Sequence, residues 1–249
     1  MYSAVSGQIA LSKQIDIIAN NLANLSTTGF KAERLQFEKV LSQSQVLSGS
    51  PLKADLKLGN PLQTTEFAKV SGSFTDLTQG SIEKTNNDFD VAVNGTGFFV
   101  IATAEGERYT RAGNFRRETD GRLVTQDGAR VQGQGGDIVL TGQTMSVSPD
   151  GTVLSDNKSV GKLRLVQIAK EDLEREKGLL FKLKSGGNVT EVVNGTFEGG
   201  ALEGSNVNPV RELSNMILAQ RLYESFQNVM QSNSKMNEQR NQHVGTLNS

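Results

Sequence analysis

The sequence predicts an α+β fold: a mainly antiparallel β domain in the middle of the chain, with N- and C-terminal α-helices whose pairing is coiled-coil-like. Three observations predict it. Apolar residues near both chain ends recur at helical spacing. The central stretch alternates short β-branched and aromatic runs with Gly and Asn. Asp-Gly pairs punctuate that stretch at Asp120-Gly121, Asp127-Gly128 and Asp150-Gly151.

The first segment, residues 1–41, is a helical domain. Leu11, Ile15, Ile18, Leu22 and Leu25 are spaced 4, 3, 4, 3, the a/d spacing of a coiled-coil seam. Ala4 extends the register backwards, and Gln8, Lys13, Asn20 and Asn24 lie on the opposite face. The helix ends near Ser26-Thr27-Thr28-Gly29, because Gly29 is a natural C-terminal stop. Phe30 to Leu41 then reads as a second short helical segment.

Residues 42–73 are a connector. Ser, Gln and Gly recur there, and Pro51, Gly59 and Pro61 break regular structure. Residues 74–203 form the β domain. Val91–Val93 and Phe98–Ile101 are β-favouring runs, and the Asp-Gly pairs suit type I′ hairpin turns. Asp120-Gly121-Arg122-Leu123-Val124-Thr125 echoes Asp150-Gly151-Thr152-Val153-Leu154-Ser155, each a turn followed by a strand. Leu163, Leu165, Val166 and Ile168 form a further strand, and Glu171 to Lys177 reads as one or two exposed helical turns. The last segment, residues 204–249, is helical again. Asn208 caps it, with Pro209 at the first helical position. Val210, Leu213, Ile217, Leu218, Leu222, Phe226, Val229 and Met230 follow at helical spacing, and beyond Met230 the polar composition predicts a frayed end.

Each apolar stripe needs a cover. Either the two helices pair within one chain on the β domain, or they pair also with helices of neighbouring subunits. The polar connector, which lets the chain ends leave the β domain, favours the second. The residues expected at such a subunit interface are Leu11, Ile15, Ile18, Leu22 and Leu25 at one end, and Val210, Leu213, Ile217, Leu222 and Phe226 at the other.

Composition narrows the chemistry. The 26 basic and 27 acidic residues nearly cancel and leave no basic stripe for nucleic acid. The absence of Cys excludes disulfides, zinc-thiolate sites and a thiol nucleophile. No run approaches the ~18 apolar residues of a membrane helix, and Met1 to Ala10 lacks the pattern of a cleavable secretory signal. The one imidazole, His243, lies in the polar tail, where no triad geometry can be held. Asn86, Asp88 and Asp90 alternate like calcium ligands, but Val91 occupies the loop position where an EF-hand needs Gly. Gly95 and Gly97 lack the third Gly of a dinucleotide loop. Arg108, Arg111, Arg116 and Arg117 suggest a charged hairpin face. No catalytic residue, metal site or cofactor is expected. Composition alone leaves open a glycosidase built on a carboxylate pair, but it singles out no pair. A carbohydrate-binding module is the third class, although 3 Tyr, 11 Phe and no Trp read as core rather than a sugar platform.

Several motifs carry a family resemblance. Asn20-Asn21-Leu22-Ala23-Asn24 followed by Thr28-Gly29-Phe30-Lys31 resembles the N-terminal signature of the flagellar rod, hook and hook-associated proteins. Asn94-Gly95-Thr96-Gly97-Phe98-Phe99-Val100 and Tyr109-Thr110-Arg111-Ala112-Gly113-Asn114-Phe115 resemble its central strand and hairpin. Leu202-Glu203-Gly204-Ser205-Asn206-Val207, Met216-Ile217 and Gln220-Arg221-Leu222-Tyr223-Glu224 resemble its C-terminal region. The likeness is collinear over nearly the whole chain. Ser6-Gly7-Gln8-Ile9-Ala10-Leu11 and Val160-Gly161-Lys162-Leu163-Arg164-Leu165-Val166 look most like the proximal rod members, with the distal rod members as runner-up. The resemblance implies a non-catalytic rod subunit of the bacterial flagellum basal body. It implies terminal helices forming an axial domain, neighbouring proximal and distal rod subunits as partners, and passage through the flagellar type III export apparatus to a periplasmic rod.

Overall fold

The computed structural model describes residues 2–41, 66–176, 178–192 and 195–246. Helix α1 spans Tyr2–Ala23 and helix α2 spans Pro209–Thr246. Between them lie β1 (Glu33–Leu41), β2 (Glu66–Thr75), β3 (Ile82–Lys84), β4 (Val91–Asn94), β5 (Phe98–Thr103), β6 (Gly106–Thr110), β7 (Arg116–Arg117), β8 (Leu123–Val124), β9 (Arg130–Gly133) and β10 (Gly136–Asp137). They continue as β11 (Met145–Val147), β12 (Thr152–Ser155), β13 (Lys158–Lys162), β14 (Leu165–Ile168), β15 (Leu173–Arg175), β16 (Phe181–Leu183), β17 (Val189–Glu191), β18 (Thr196–Gly199) and β19 (Ala201–Glu203). The fold is mostly antiparallel β with a helix at each end.

The chain divides into two compact units. One comprises Ile18–Arg34 and Phe74–Asn215 and is called the β unit below; the other comprises Met1–Ile17, Leu35–Ser73 and Met216–Ser249.

The β unit is organised by a ten-stranded sheet in which β15, β16, β6, β5, β9, β8 and β7 follow one another and β10, β14 and β17 attach at the side. Its centre is β5, which pairs antiparallel with β6, β9 and β14. Phe99 and Ile101 point to one core with Val91, Phe115, Leu123, Val131 and Phe197. Phe98 and Val100 point to a second, with Tyr109, Val166 and Phe181. This period-2 division of one strand between two cores is why the run reads as continuously apolar. Phe99 meets Phe115 edge-on at 5.1 Å, an arrangement that matches ring edge to ring face.

The segment after β17 returns to complete strands laid down far earlier in the sequence. β18 pairs with β4, and β19 pairs with β3. Residues 196–203 therefore fasten the C-terminal part of the β unit to its beginning.

The structure corrects five expectations. The Phe30–Leu41 stretch is not helical, since β1 occupies Glu33–Leu41 and pairs with β2. Leu35 and Phe37 alternate with Arg34, Gln36 and Glu38, a strand period. The Asn21 carboxamide also binds Glu33 as a strand neighbour would: its Nδ2 donates to the Glu33 carbonyl at 2.9 Å and its Oδ1 accepts from the Glu33 N–H at 2.9 Å. Residues 66–73 of the expected connector belong to β2, while residues 42–65 lie outside the described residues. Of the stretch Glu171 to Lys177, the described residues 171–176 hold a turn followed by β15, because Leu173 pairs across to Leu183 and is buried there. The polar end of α2 is helical to Thr246. No Gly or Pro interrupts Val210 to Val244, and Gln, Lys, Glu, Arg and Met carry low helix penalties.

The Asp-Gly turns are the fifth correction. All three are type I turns closed by a glycine bulge. Gly121, Gly128 and Gly151 take φ of 87°, 85° and 88°, whereas the preceding Asp residues keep negative φ. Each glycine N–H donates three residues back, to Glu118, Thr125 and Ser148 at 3.0, 3.0 and 2.8 Å. The true two-residue positive-φ turn is Asp156-Asn157, φ 48° and 65°, between β12 and β13.

Candidate assembly surface and the buried root of the chain ends

Where α2 begins, the chain is capped as the sequence predicts. Asn208 Oδ1 accepts from the Arg211 N–H at 3.1 Å, satisfying one of the free donors of the first turn. Glu212 lies in that turn, where negative charge complements the helix dipole. It is buried, and its carboxylate binds Arg34 at 3.0 Å.

The buried side of α2 carries Glu212 and Ala219. The large apolar residues face elsewhere. Val210, Leu213 and Ile217 recur at i, i+3 and i+7, one face of a helix, and are 74%, 51% and 53% exposed. Leu218, Leu222 and Val229, about 100° further round, form a second outward strip, also exposed. Phe226 is half-buried, with its ring against Gly7 of α1. On α1, Ile18 is buried and Leu11, Ile15 and Leu22 are half-buried, while Leu25 packs against Phe30, Ala32 and Val207.

The ten residues expected at an interface therefore separate. Those of the N-terminal segment are wholly or partly covered within the single chain. Val210, Leu213, Ile217 and Leu222 face outward, and no single stripe holds them all.

Close to the foot of α2 the polarity inverts. Glu203, at the end of β19, is fully buried and holds two buried cations. Its Oε1 lies 2.6 Å from Lys31 Nζ, and its Oε2 lies 3.0 Å from Arg111 Nη1. The Gly80 N–H donates to Oε1 at 2.9 Å, and the Gly29 N–H donates to the Glu203 carbonyl at 2.7 Å. Lys31 Nζ also donates to the Thr78 carbonyl at 2.7 Å, and Arg111 Nη2 to the Gly95 carbonyl at 2.7 Å. Burial pushes the Lys31 ammonium below its ordinary value, with Glu203 opposing the shift, and lowers Arg111 for the same reason.

Asn206 adds a second tie. Its Oδ1 accepts from the Ala32 N–H at 2.7 Å and its Nδ2 donates to the Asp76 carbonyl at 2.8 Å. Arg175 is a third: its guanidinium stacks on Phe30 at 4.5 Å and donates to the Lys31 carbonyl at 2.6 Å. Gly29, at φ 68°, fits because a Cβ there would stand 2.3 Å from the Ala112 nitrogen.

Sequence reasoning passed over this cluster as a site. Lys31, Arg111, Glu203 and Asn206 all lie in the motifs quoted above, but nothing in a linear pattern pairs charges 172 and 92 residues apart. The expectation of an Arg108, Arg111, Arg116 and Arg117 face is corrected. Arg111 is buried on Glu203, and Arg108 is tied to Glu105 and Glu176. The signal available was a charge set among small and apolar neighbours, as Lys31 is between Phe30 and Ala32.

Among the described residues no cluster of three or more His, Asp or Glu is placed to hold a metal, and no helix is long and apolar enough to cross a membrane.

Comparison with known proteins finds matches over the regions that hold Lys31, Arg111 and Glu203. A family model described as flagella basal body rod protein matches residues 1–31, which include Lys31. One described as flagellar hook protein FlgE/F/G D1 domain matches residues 92–155, which include Arg111. One described as flagellar basal body rod FlgEFG protein C-terminal matches residues 198–242, which include Glu203. The flagellar basal-body rod protein FlgF of Caulobacter vibrioides is 34% identical over 256 residues, covering 100% of this chain and 98% of the relative. The flagellar basal-body rod protein FlgG of Agrobacterium fabrum is 33% identical, covering 94% of each chain. That of Bacillus subtilis is 31% identical, covering 90% of this chain and 91% of the relative.

Proposed function

The chain belongs to the flagellar basal-body rod protein family, and from that premise we propose that it is a proximal-rod subunit, FlgF-like, that stacks helically with other rod proteins and carries motor torque. Its work is structural and involves no catalysis. The observation that carries this reading is the outward apolar surface of α2, which a single chain leaves in water. In a rod, Val210, Leu213, Ile217 and Leu222 meet helices of neighbouring proximal and distal rod subunits. Leu11, Ile15, Ile18, Leu22, Leu25 and Phe226 hold the two ends of one chain together, as in a coiled coil.

Residues 1–41 and 204–249 then form the axial domain. Residues 74–203 form the outer domain. Contacts that do not close into a ring extend as a helix, which suits a filament. The subunit reaches the periplasmic rod through the flagellar type III export apparatus.

The test is a chromosomal Leu213→Ser/Ile217→Ser pair. Secretion of the folded subunit without incorporation into basal bodies, and loss of swimming, is the expected result. Normal rods and normal swimming defeat the proposal. A distal-rod assignment is the second reading, favoured by FlgG relatives at 31% and 33% identity over at least nine-tenths of the chain. Labelled subunits in isolated basal bodies separate the two: labels at the membrane-proximal end support the first reading, and labels at the hook end the second.

A further inference from the structure

Both chain ends are rooted in the β unit through one carboxylate. On the N-terminal side, Gly29 donates to the Glu203 backbone and Lys31 binds its side chain. On the C-terminal side, Glu203 ends β19, Asn206 follows it, and Glu212 returns to bind Arg34. Two buried cations, Lys31 and Arg111, share this one anion. The other groups that accept from them, the Thr78, Val93 and Gly95 carbonyls, are neutral. Lys31, Arg111 and Glu203 by themselves thus carry one more positive than negative charge, and loss of the Glu203 charge raises that excess to two, with the Asp76 carboxylate the further anion acting on Lys31.

We infer that Glu203 is a keystone that makes the roots of the two terminal helices one cooperative element. Without its charge, Lys31 and Arg111 are uncompensated like charges in the interior, and residues 25–34 and 203–212 come loose together. The sheet persists, because the two cores around β5 contain none of these residues. The coupling is a property of the single chain and stands apart from what α2 contacts in an assembly.

Hydrogen exchange on the purified full-length chain tests it, comparing the wild type with Glu203→Gln, Lys31→Met and the double variant. In Glu203→Gln, peptides covering 25–34 and 203–212 gain exchange together, by at least about tenfold, while peptides in β5, β6 and β9 stay protected. The double variant returns the cluster to its original net charge, so it regains protection in both segments. Loosening of one segment alone overturns the proposal. So does a double variant no better protected than Glu203→Gln, because Glu203 would then act only through size and hydrogen bonding. Should Glu203→Gln fail to fold, the double variant decides: a folded, protected protein supports the keystone, and an unfolded one overturns it.

Discussion

The foot of α2 buries charge, and the helix that rises from it exposes leucine. At Glu203 a carboxylate and two cations are sealed from water, whereas Val210, Leu213 and Ile217, a few residues on, stand in it. Each arrangement alone is unfavourable. Charges taken from water lose hydration that only close partners restore, and apolar side chains in water forgo the gain of burial. The difference lies in where completion is found. The charged cluster finds its partners within the chain, Glu203 meeting Lys31 and Arg111 at 2.6 and 3.0 Å, although the buried Arg111 Nε is left without a hydrogen-bond acceptor. The apolar surface is complete only with something added. A buried ion pair contributes little net stability compared with an apolar replacement, but it tolerates one geometry.

The sharpest way to break the comparison is to make the cluster as incomplete as the helix face. Glu203→Ala leaves Lys31 and Arg111 buried without their anion and costs about 3–5 kcal/mol in urea unfolding. A loss under about 1 kcal/mol would show that water reaches the cluster and that its sealing is not what holds it.

The joint also depends on backbone fit. Gly29→Ala meets both a positive φ of 68° and the Ala112 nitrogen at 2.3 Å, so it costs about 1–3 kcal/mol by the same measurement. At the boundary between the regions, Asn208→Ala removes the cap and costs about 1 kcal/mol, whereas Asn208→Gly costs only a few tenths. If Asn208→Ala costs nothing, the Asn208 side chain is not the cap.

Acid acts on the root through Asp76. Burial pushes the Asp76 carboxyl up, but the Thr78 hydroxyl and N–H together with Arg34 outweigh it, and the group sits below its ordinary 3.8. A carboxylate lowered in the folded state contributes stability above its unfolded value, and that contribution is lost as pH falls through the folded one. Stability therefore declines below about pH 4, and Asp76→Asn flattens that limb of the curve. An unchanged acid limb in the variant would assign the decline to other carboxylates.

What the sequence made legible follows the same division. Local signals were read correctly at the N-cap Asn208 and in the runs that became β4 and β5, whereas the helix expected to end near Ser26–Gly29 stops earlier, at Ala23. Signals that depend on distant partners were not. Residues 33–41 form a strand because Asn21 and β2 supply partners, and Leu173–Arg175 became β15 because β16 lies beside it. The Asp-Gly turns were located correctly and typed wrongly, since a pair of residues does not reveal which φ the aspartate takes. The apolar spacing at both ends was visible, but spacing cannot say which residues a chain covers itself. Ile18 turned inward and Leu213 outward from similar patterns.

The smallest expected effect on folding is at the outward face itself, and it is the most informative. Leu213→Ser/Ile217→Ser removes side chains already about half exposed, at 51% and 53%. The monomer's unfolding midpoint should move by no more than about 0.5 kcal/mol per site. Circular dichroism should show α2 intact, since serine costs a helix only a few tenths relative to leucine. Sedimentation of the wild type at rising concentration should reveal association that the variant lacks. A large loss of monomer stability would mean that the leucine and isoleucine are already covered within the chain. The contrast between a self-sufficient root and an unfinished helix would then collapse, because both regions would be completed by the same molecule.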